Sequence, residues 1–328
     1  MKPAILIVGH GSRDREGTQE FQQLVDLFGA KDPGRIVECG FLEFAEPVIQ
    51  AGMDRCVARG ATVVTVLPGM LMAAGHAKND IPSEIQEARL RYPHVAFHYG
   101  RHLHLHANII ELCRLKIEET ERTAAEAAGR TATPRDRQDT LLLVVGRGSS
   151  DPDANADVQK LARLLWEGMG FGWAAACYIG VTTPLLPEAL ERCQRMGFGR
   201  LLVFPFFLFT GILEKRIRQL TQECAARHPD TEFLCAHYLD VHPLLVDVLA
   251  ERSEEAIHGS PNMNCGLCKY RVRLPGFETA VGQPQVGHHH HVRGIGQYGD
   301  APPPHQHAPV AHQHHHGHTH EHGQAHQH

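Results

Sequence analysis

The chain contains one pattern twice, at a nearly constant offset of 137 positions. Gly9 recurs as Gly146, Gly11 as Gly148, Ser12 as Ser149, Leu24 as Leu161, Pro47 as Pro184, Cys56 as Cys193, Gly60 as Gly197, Pro68 as Pro205 and Leu71 as Leu208. Turn and scaffold positions repeat, but three metal-competent side chains do not. Arg147 stands where the first copy has His10, Gly180 where it has Glu43, and Leu213 (Ile212 with one gap) where it has His76. Two copies of one fold, with imidazole and carboxylate kept in one copy only, point to a single asymmetric metal site.

Each copy reads as alternating strand and helix. Apolar runs at 4–8, 36–41, 61–67 and 95–99 are followed by helical patterns at 14–28, 46–59, 79–91 and 105–128. The second copy gives strands near 141–145, 174–179, 200–206 and 232–237, with helices near 153–169, 184–196, 213–227 and 243–257. The strands are continuous apolar runs (ILIV, LLLVV, RLLVF), as expected when both faces of a parallel sheet are covered. The expected fold class is therefore α/β, with two tandem doubly wound parallel-sheet domains at 1–122 and 141–258 joined by a linker at 123–140. Residues 259–280 carry a cysteine motif. From 281 to 328 Gly, Pro, Gln and His dominate and no core can form, so a disordered tail is expected.

Composition excludes some functions. A net charge of −5 gives no reason to expect nucleic acid. The longest apolar run, Leu201–Leu213, spans 13 residues, short of the roughly 20 that a membrane helix requires. The N-terminus is too briefly apolar for a signal peptide. Nine scattered cysteines suggest a reducing cytoplasm, with most thiols serving as small buried hydrophobes.

Ligands of a parallel α/β sheet bind at the carboxyl ends of its strands. His10 lies there, in the turn Gly9-His10-Gly11-Ser12-Arg13, and Glu43 and His76 also follow strands. Neutral imidazole binds Co²⁺, Ni²⁺, Fe²⁺ and Zn²⁺, and it accepts a proton near neutral pH. GHGSR has neither G-x-G-x-x-G spacing nor a Walker Gly-Lys-Ser/Thr, so phosphate binding is disfavoured. Ser12 reads equally well as a helix cap.

GHGSR, FLEFAEP and LPGMLMAAGHAKNDIP in a duplicated α/β chain resemble the class II chelatases. Within them, the chain is most similar to the long-form sirohydrochlorin cobaltochelatases, over residues 3–257. That group also carries a histidine-rich region and an M-x-C-x-x-C motif, which here reads Met263-Asn264-Cys265-Gly266-Leu267-Cys268. The resemblance implies insertion of Co²⁺ into the tetrapyrrole sirohydrochlorin, with Fe²⁺ or Ni²⁺ as the alternative metal. It implies that His10 contacts the metal and takes a proton, that His76 is the second metal histidine, and that Glu43 completes the site or takes a proton. Leu71, Met72, Ala73, Ala74 and Gly75 would line the macrocycle, and Arg147 would meet one of its eight carboxylates or else be a structural turn arginine. Phe206, Phe207, Leu208 and Phe209 read mostly as sheet core, with one or two as cleft wall.

Read from the residues alone, Cys265 and Cys268 form a redox dithiol, half a zinc site or half an iron–sulfur site. The resemblance favours iron–sulfur. Two thiolates are half of the usual ligand set, so either two chains share a cluster as a homodimer or other ligands complete it. Fifteen of the 26 histidines fall between His288 and His328. They read as a metal buffer or delivery arm, and a non-catalytic metal-storage protein or metallochaperone is the alternative from a different functional class. His102, His104 and His106, with His98, border the fourth strand and carry no assigned ligand role.

Overall fold

The computed structural model describes residues 2–259 and 268–283. The first half holds β1 (Pro3–Gly9), α1 (Arg15–Lys31), β2 (Ile36–Phe41), α2 (Ile49–Ala58), β3 (Val63–Pro68), α3 (Ile81–Arg91), β4 (Ala96–Tyr99) and α4 (Ala107–Ala127). A short α5 (Pro134–Gln138) stands in the connection. The second half holds β5 (Thr140–Gly146), α6 (Pro152–Met169), β6 (Trp173–Tyr178), α7 (Leu186–Gln194), β7 (Arg200–Pro205), α8 (Ile212–Arg227), β8 (Glu232–Cys235) and α9 (Pro243–His258). Both sheets are wholly parallel, and their strand orders, β2-β1-β3-β4 and β6-β5-β7-β8, are the same arrangement made twice.

Alternation along the central strands decides which helices cover which face. Ala4, Leu6 and Val8 of β1 pack with Ile49, Met53, Ile81 and Ile85 from α2 and α3. Leu141, Leu143 and Val145 of β5 pack in the same way against α7 and α8. The opposite faces do not form separate cores. Ile5 and Ile7 of the first sheet share one cluster with Leu142 and Val144 of the second, through Phe21, Leu112, Ile117, Leu161 and Leu249 of the helices between them.

The last helices of the two halves are exchanged. The first half's α4 packs on β8 and α6 of the second half, whereas α9 packs on β3, β4 and α1 of the first. Hydrophobic periodicity shows that α4 and α9 each bury a stripe, but not against which sheet. The expectation of a doubly wound fold in each copy is met, with the inner layer held in common.

Polar contacts follow the same seam. Lys78 Nζ donates to Asp151 and Asp153 at 2.8 and 2.9 Å, all three side chains being buried. Glu20 accepts from the Thr210 amide and the Tyr238 hydroxyl, at 2.8 and 2.6 Å.

Candidate metal centre

The β1 turn and the β2 loop are joined by backbone hydrogen bonds. The Leu42 amide donates to the Gly9 carbonyl at 3.1 Å, and the Glu43 amide to the His10 carbonyl at 3.0 Å. This approach requires glycine at position 11. Its φ is +89°, and an added Cβ would land on the Glu43 carbonyl oxygen. Gly148 bears the same relation to Gly180, and the Gly180 amide donates to the Arg147 carbonyl at 3.1 Å. The scaffold is thus built twice, and only the first copy places a histidine and a carboxylate on it. Asp14, rather than Ser12, caps α1 by accepting from the Glu16 amide, while Ser12 Oγ accepts from the Asp14 amide.

His76 opens a π-helical turn, His76–Asp80, that runs into α3. Such turns recur at functional sites. His76 Nδ1 lies 2.7 Å from Asp80 Oδ2, and its Nε2 lies 3.8 Å from Glu43 Oε1. The His10 and His76 rings meet edge to face, 4.9 Å between centroids. His10 Nδ1 lies 3.1 Å from the Gly11 carbonyl. These contacts assign the proton of each ring to Nδ1, leaving each Nε2 with a lone pair, that of His76 facing Glu43. One ligand atom from each of His10, Glu43 and His76 falls within 4.8 Å of the others. Two imidazoles and a carboxylate at this spacing suit a first-row divalent ion.

Glu43 is 3% exposed. Burial raises its pKa, against the opposing pull of His76, Arg147 and Arg13. The cation opposite it, Arg147, comes from the second half. Arg147 is exposed, so its guanidinium stays solvated and charged. Arg13 lies over the Phe44 ring, 4.8 Å from its centroid, a geometry that favours the cation. Phe44 itself occupies a left-handed backbone position, φ 58°, as does its counterpart Val181, φ 67°.

The remaining sequence-derived residues have distinct places. Leu71 and Met72 are half-buried against the shared core, Ala73 is buried, and Ala74 and Gly75 lead directly into His76. Of the aromatic run after β7, Phe206 is buried in the core, while Phe207, Leu208 and Phe209 lie beyond the strand end, half-buried and packed against the cores. The strand ends at Pro205, which releases them into the loop. Cys265 and the histidines of 288–328 lie outside the described residues. Cys268 is buried, and its neighbour Lys269 donates to the Ser150 carbonyl at 2.9 Å. Among the described residues Cys268 belongs to no group of three metal-competent side chains. Asp80, the partner of His76, escaped the sequence reading although its i+4 spacing was visible in GHAKNDIP. No described helix is long and apolar enough to cross a membrane.

A duplicated parallel α/β scaffold with one His-Glu-His group at its rim is the setting in which the comparisons fall. A family model described as CbiX matches residues 4–120 and again 141–256, and the chain belongs to that family. The sirohydrochlorin cobaltochelatase of Priestia megaterium is 41% identical over 272 residues, 83% of this chain and 85% of that protein. The sirohydrochlorin ferrochelatase of the same organism is 32% identical, over 79% of this chain and 92% of its own length. The sirohydrochlorin chelatase SirB from Bacillus subtilis subspecies spizizenii, in complex with cobalt, superposes with a TM-score of 0.64 at 30% identity, covering 78% of this chain and 95% of that one.

Proposed function

We propose that the chain is a sirohydrochlorin chelatase and that it inserts Co²⁺. The observation that carries this reading is the convergence of His10, Glu43 and His76 within 4.8 Å on one rim. Preference for Co²⁺ draws support from the cobaltochelatase relative at 41% identity against 32% for the ferrochelatase.

Co²⁺ arrives as a substrate and binds the Nε2 atoms of His10 and His76 and the carboxylate of Glu43. Arg147 and Arg13 hold carboxylates of the macrocycle over the ion. Leu71 and Met72 offer apolar surface to the ring from one side. From the other copy, Val181 in its loop and Ile212 at the start of α8 are 67% and 62% exposed and add apolar surface. Four ring nitrogens replace the protein ligands, and two pyrrole protons leave. Each imidazole or carboxylate that releases the ion becomes a free base where a proton is being shed. Glu43, with its raised pKa, is suited to take one. The same groups then return the protons to water.

The test is a competition assay, anaerobic, with sirohydrochlorin and equal Co²⁺, Fe²⁺ and Ni²⁺, followed by the product spectra. Cobalt-sirohydrochlorin should form fastest, and His10→Ala should abolish turnover while leaving the fold intact. Faster iron insertion would assign the chain to sirohaem formation instead. No metallation by any of the three would overturn the chelatase reading.

A further inference from the structure

Next to the Met70–Leu71 backbone lies a second set of ligand-competent side chains that the rim chemistry does not use. His102, His104 and Asp157 bring one ligand atom each within 4.8 Å of the others. The two rings meet edge to face, 5.0 Å between centroids, and His104 Nε2 lies 3.3 Å from Asp157 Oδ2. His102 is 3% exposed, and among the described residues neither of its ring nitrogens has a hydrogen-bond partner. A buried polar side chain in that condition is rare and calls for a reason.

The backbone here is held from two sides. The Leu103 and His104 amides donate to the Met70 and Leu71 carbonyls, both at 2.9 Å. Arg252 of α9 donates to the His102 and Leu103 carbonyls, at 3.1 and 2.8 Å. The second half makes the same turn, where the Leu239 and Asp240 amides donate to Phe207 and Leu208. His104 and Asp240 share the left-handed backbone, φ 61° and 62°. The turn is thus a property of the fold. Its side chains are not: Tyr238 and Asp240 stand where the first half has two imidazoles, and Tyr238 satisfies its hydroxyl on Glu20 at 2.6 Å. His102 has no such outlet.

We propose that His102, His104 and Asp157 form a second divalent-cation site, for Zn²⁺ or a similar borderline ion, tying the Met70–Met72 wall of the first half to α6 of the second. Two imidazoles and one carboxylate are a zinc-type donor set. Ligand distances of about 2.0–2.2 Å require the three side chains to close slightly on a shared ion, which rotation of the His104 and Asp157 side chains supplies. The ion fixes the Met70–Leu71 segment against α6 and takes no part in insertion.

The experiment uses the full chain carrying His10→Ala and His76→Ala, which removes the rim site. Histidines of residues 288–328 bind Zn²⁺ in folded and unfolded protein alike, so they add little to a thermal shift. Zn²⁺ at about a hundredfold over its Kd should raise the midpoint by about 5–10 °C. Asp157→Asn and His104→Ala, each added singly, should remove that shift while leaving the metal-free midpoint near that of the parent. A shift that survives both substitutions overturns the proposal. Anomalous diffraction from a zinc-soaked crystal of the unsubstituted chain is the second measurement. A peak among His102, His104 and Asp157 supports the site, and ordered zinc found only elsewhere overturns it.

Discussion

Asp80 holds His76 by its Nδ1, 2.7 Å away across the π-helical turn, and so aims the other ring nitrogen at Glu43. A carboxylate behind a metal-binding imidazole fixes the tautomer and increases ligand basicity. Asp80→Asn should therefore weaken Co²⁺ binding about 10–100-fold. The KM for sirohydrochlorin should change little, because Asp80 acts through His76. Calorimetric metal titration beside steady-state kinetics at saturating metal separates the two effects.

Arg147 predicts the reverse pattern. It belongs to the half in which Arg147 and Gly180 stand in place of His10 and Glu43, and its charge acts on Glu43. If it holds a macrocycle carboxylate, a charge-assisted hydrogen bond of about 1.5–3 kcal/mol is at stake. Arg147→Leu should raise the KM for sirohydrochlorin about 10–100-fold with kcat nearly preserved. An unchanged KM would return Arg147 to a structural role in its turn.

Much of this architecture was legible in residue order alone. The apolar runs mark all eight strands because each is covered on both faces, and the 137-residue offset identifies His10, Glu43 and His76 by what replaces them. Three features were not legible. A π-helical turn has no residue signature of its own, so His76–Asp80 read as plain loop and helix start. The exchange of α4 and α9 depends on three-dimensional packing, since a buried stripe does not name its partner. The pairing of His104 with Asp157 joins two halves across the seam, and no periodicity within either half can encode it.

Glu43 gives a pH prediction for the metal-free protein, held in a chelator. Its folded pKa is raised, chiefly by burial, above the unfolded value of about 4.3. Between those two values the folded state binds more protons than the unfolded one, so stability falls as pH rises through that window. Glu43→Gln removes this loss. The variant should be more stable than the parent at neutral pH, and the difference should vanish below about pH 4. Added Co²⁺ should reverse the order at neutral pH by binding the carboxylate. Urea midpoints across pH 3.5–8 check both parts.

The helix exchange predicts how the halves unfold. Both tryptophans, Trp166 and Trp173, belong to the second half, so fluorescence reports on that half alone. Ile117 belongs to the first half's α4 and is fully buried in the core common to both. Truncating such a side chain to alanine costs about 2–5 kcal/mol. Were the halves independent, Ile117→Ala would leave the tryptophan transition where it is. With α4 packed on β8 and α6, the fluorescence midpoint in urea should fall by the full cost of the truncation and coincide with the circular dichroism midpoint. A tryptophan transition that stays in place while circular dichroism resolves an earlier one would show that the shared core does not couple the two halves.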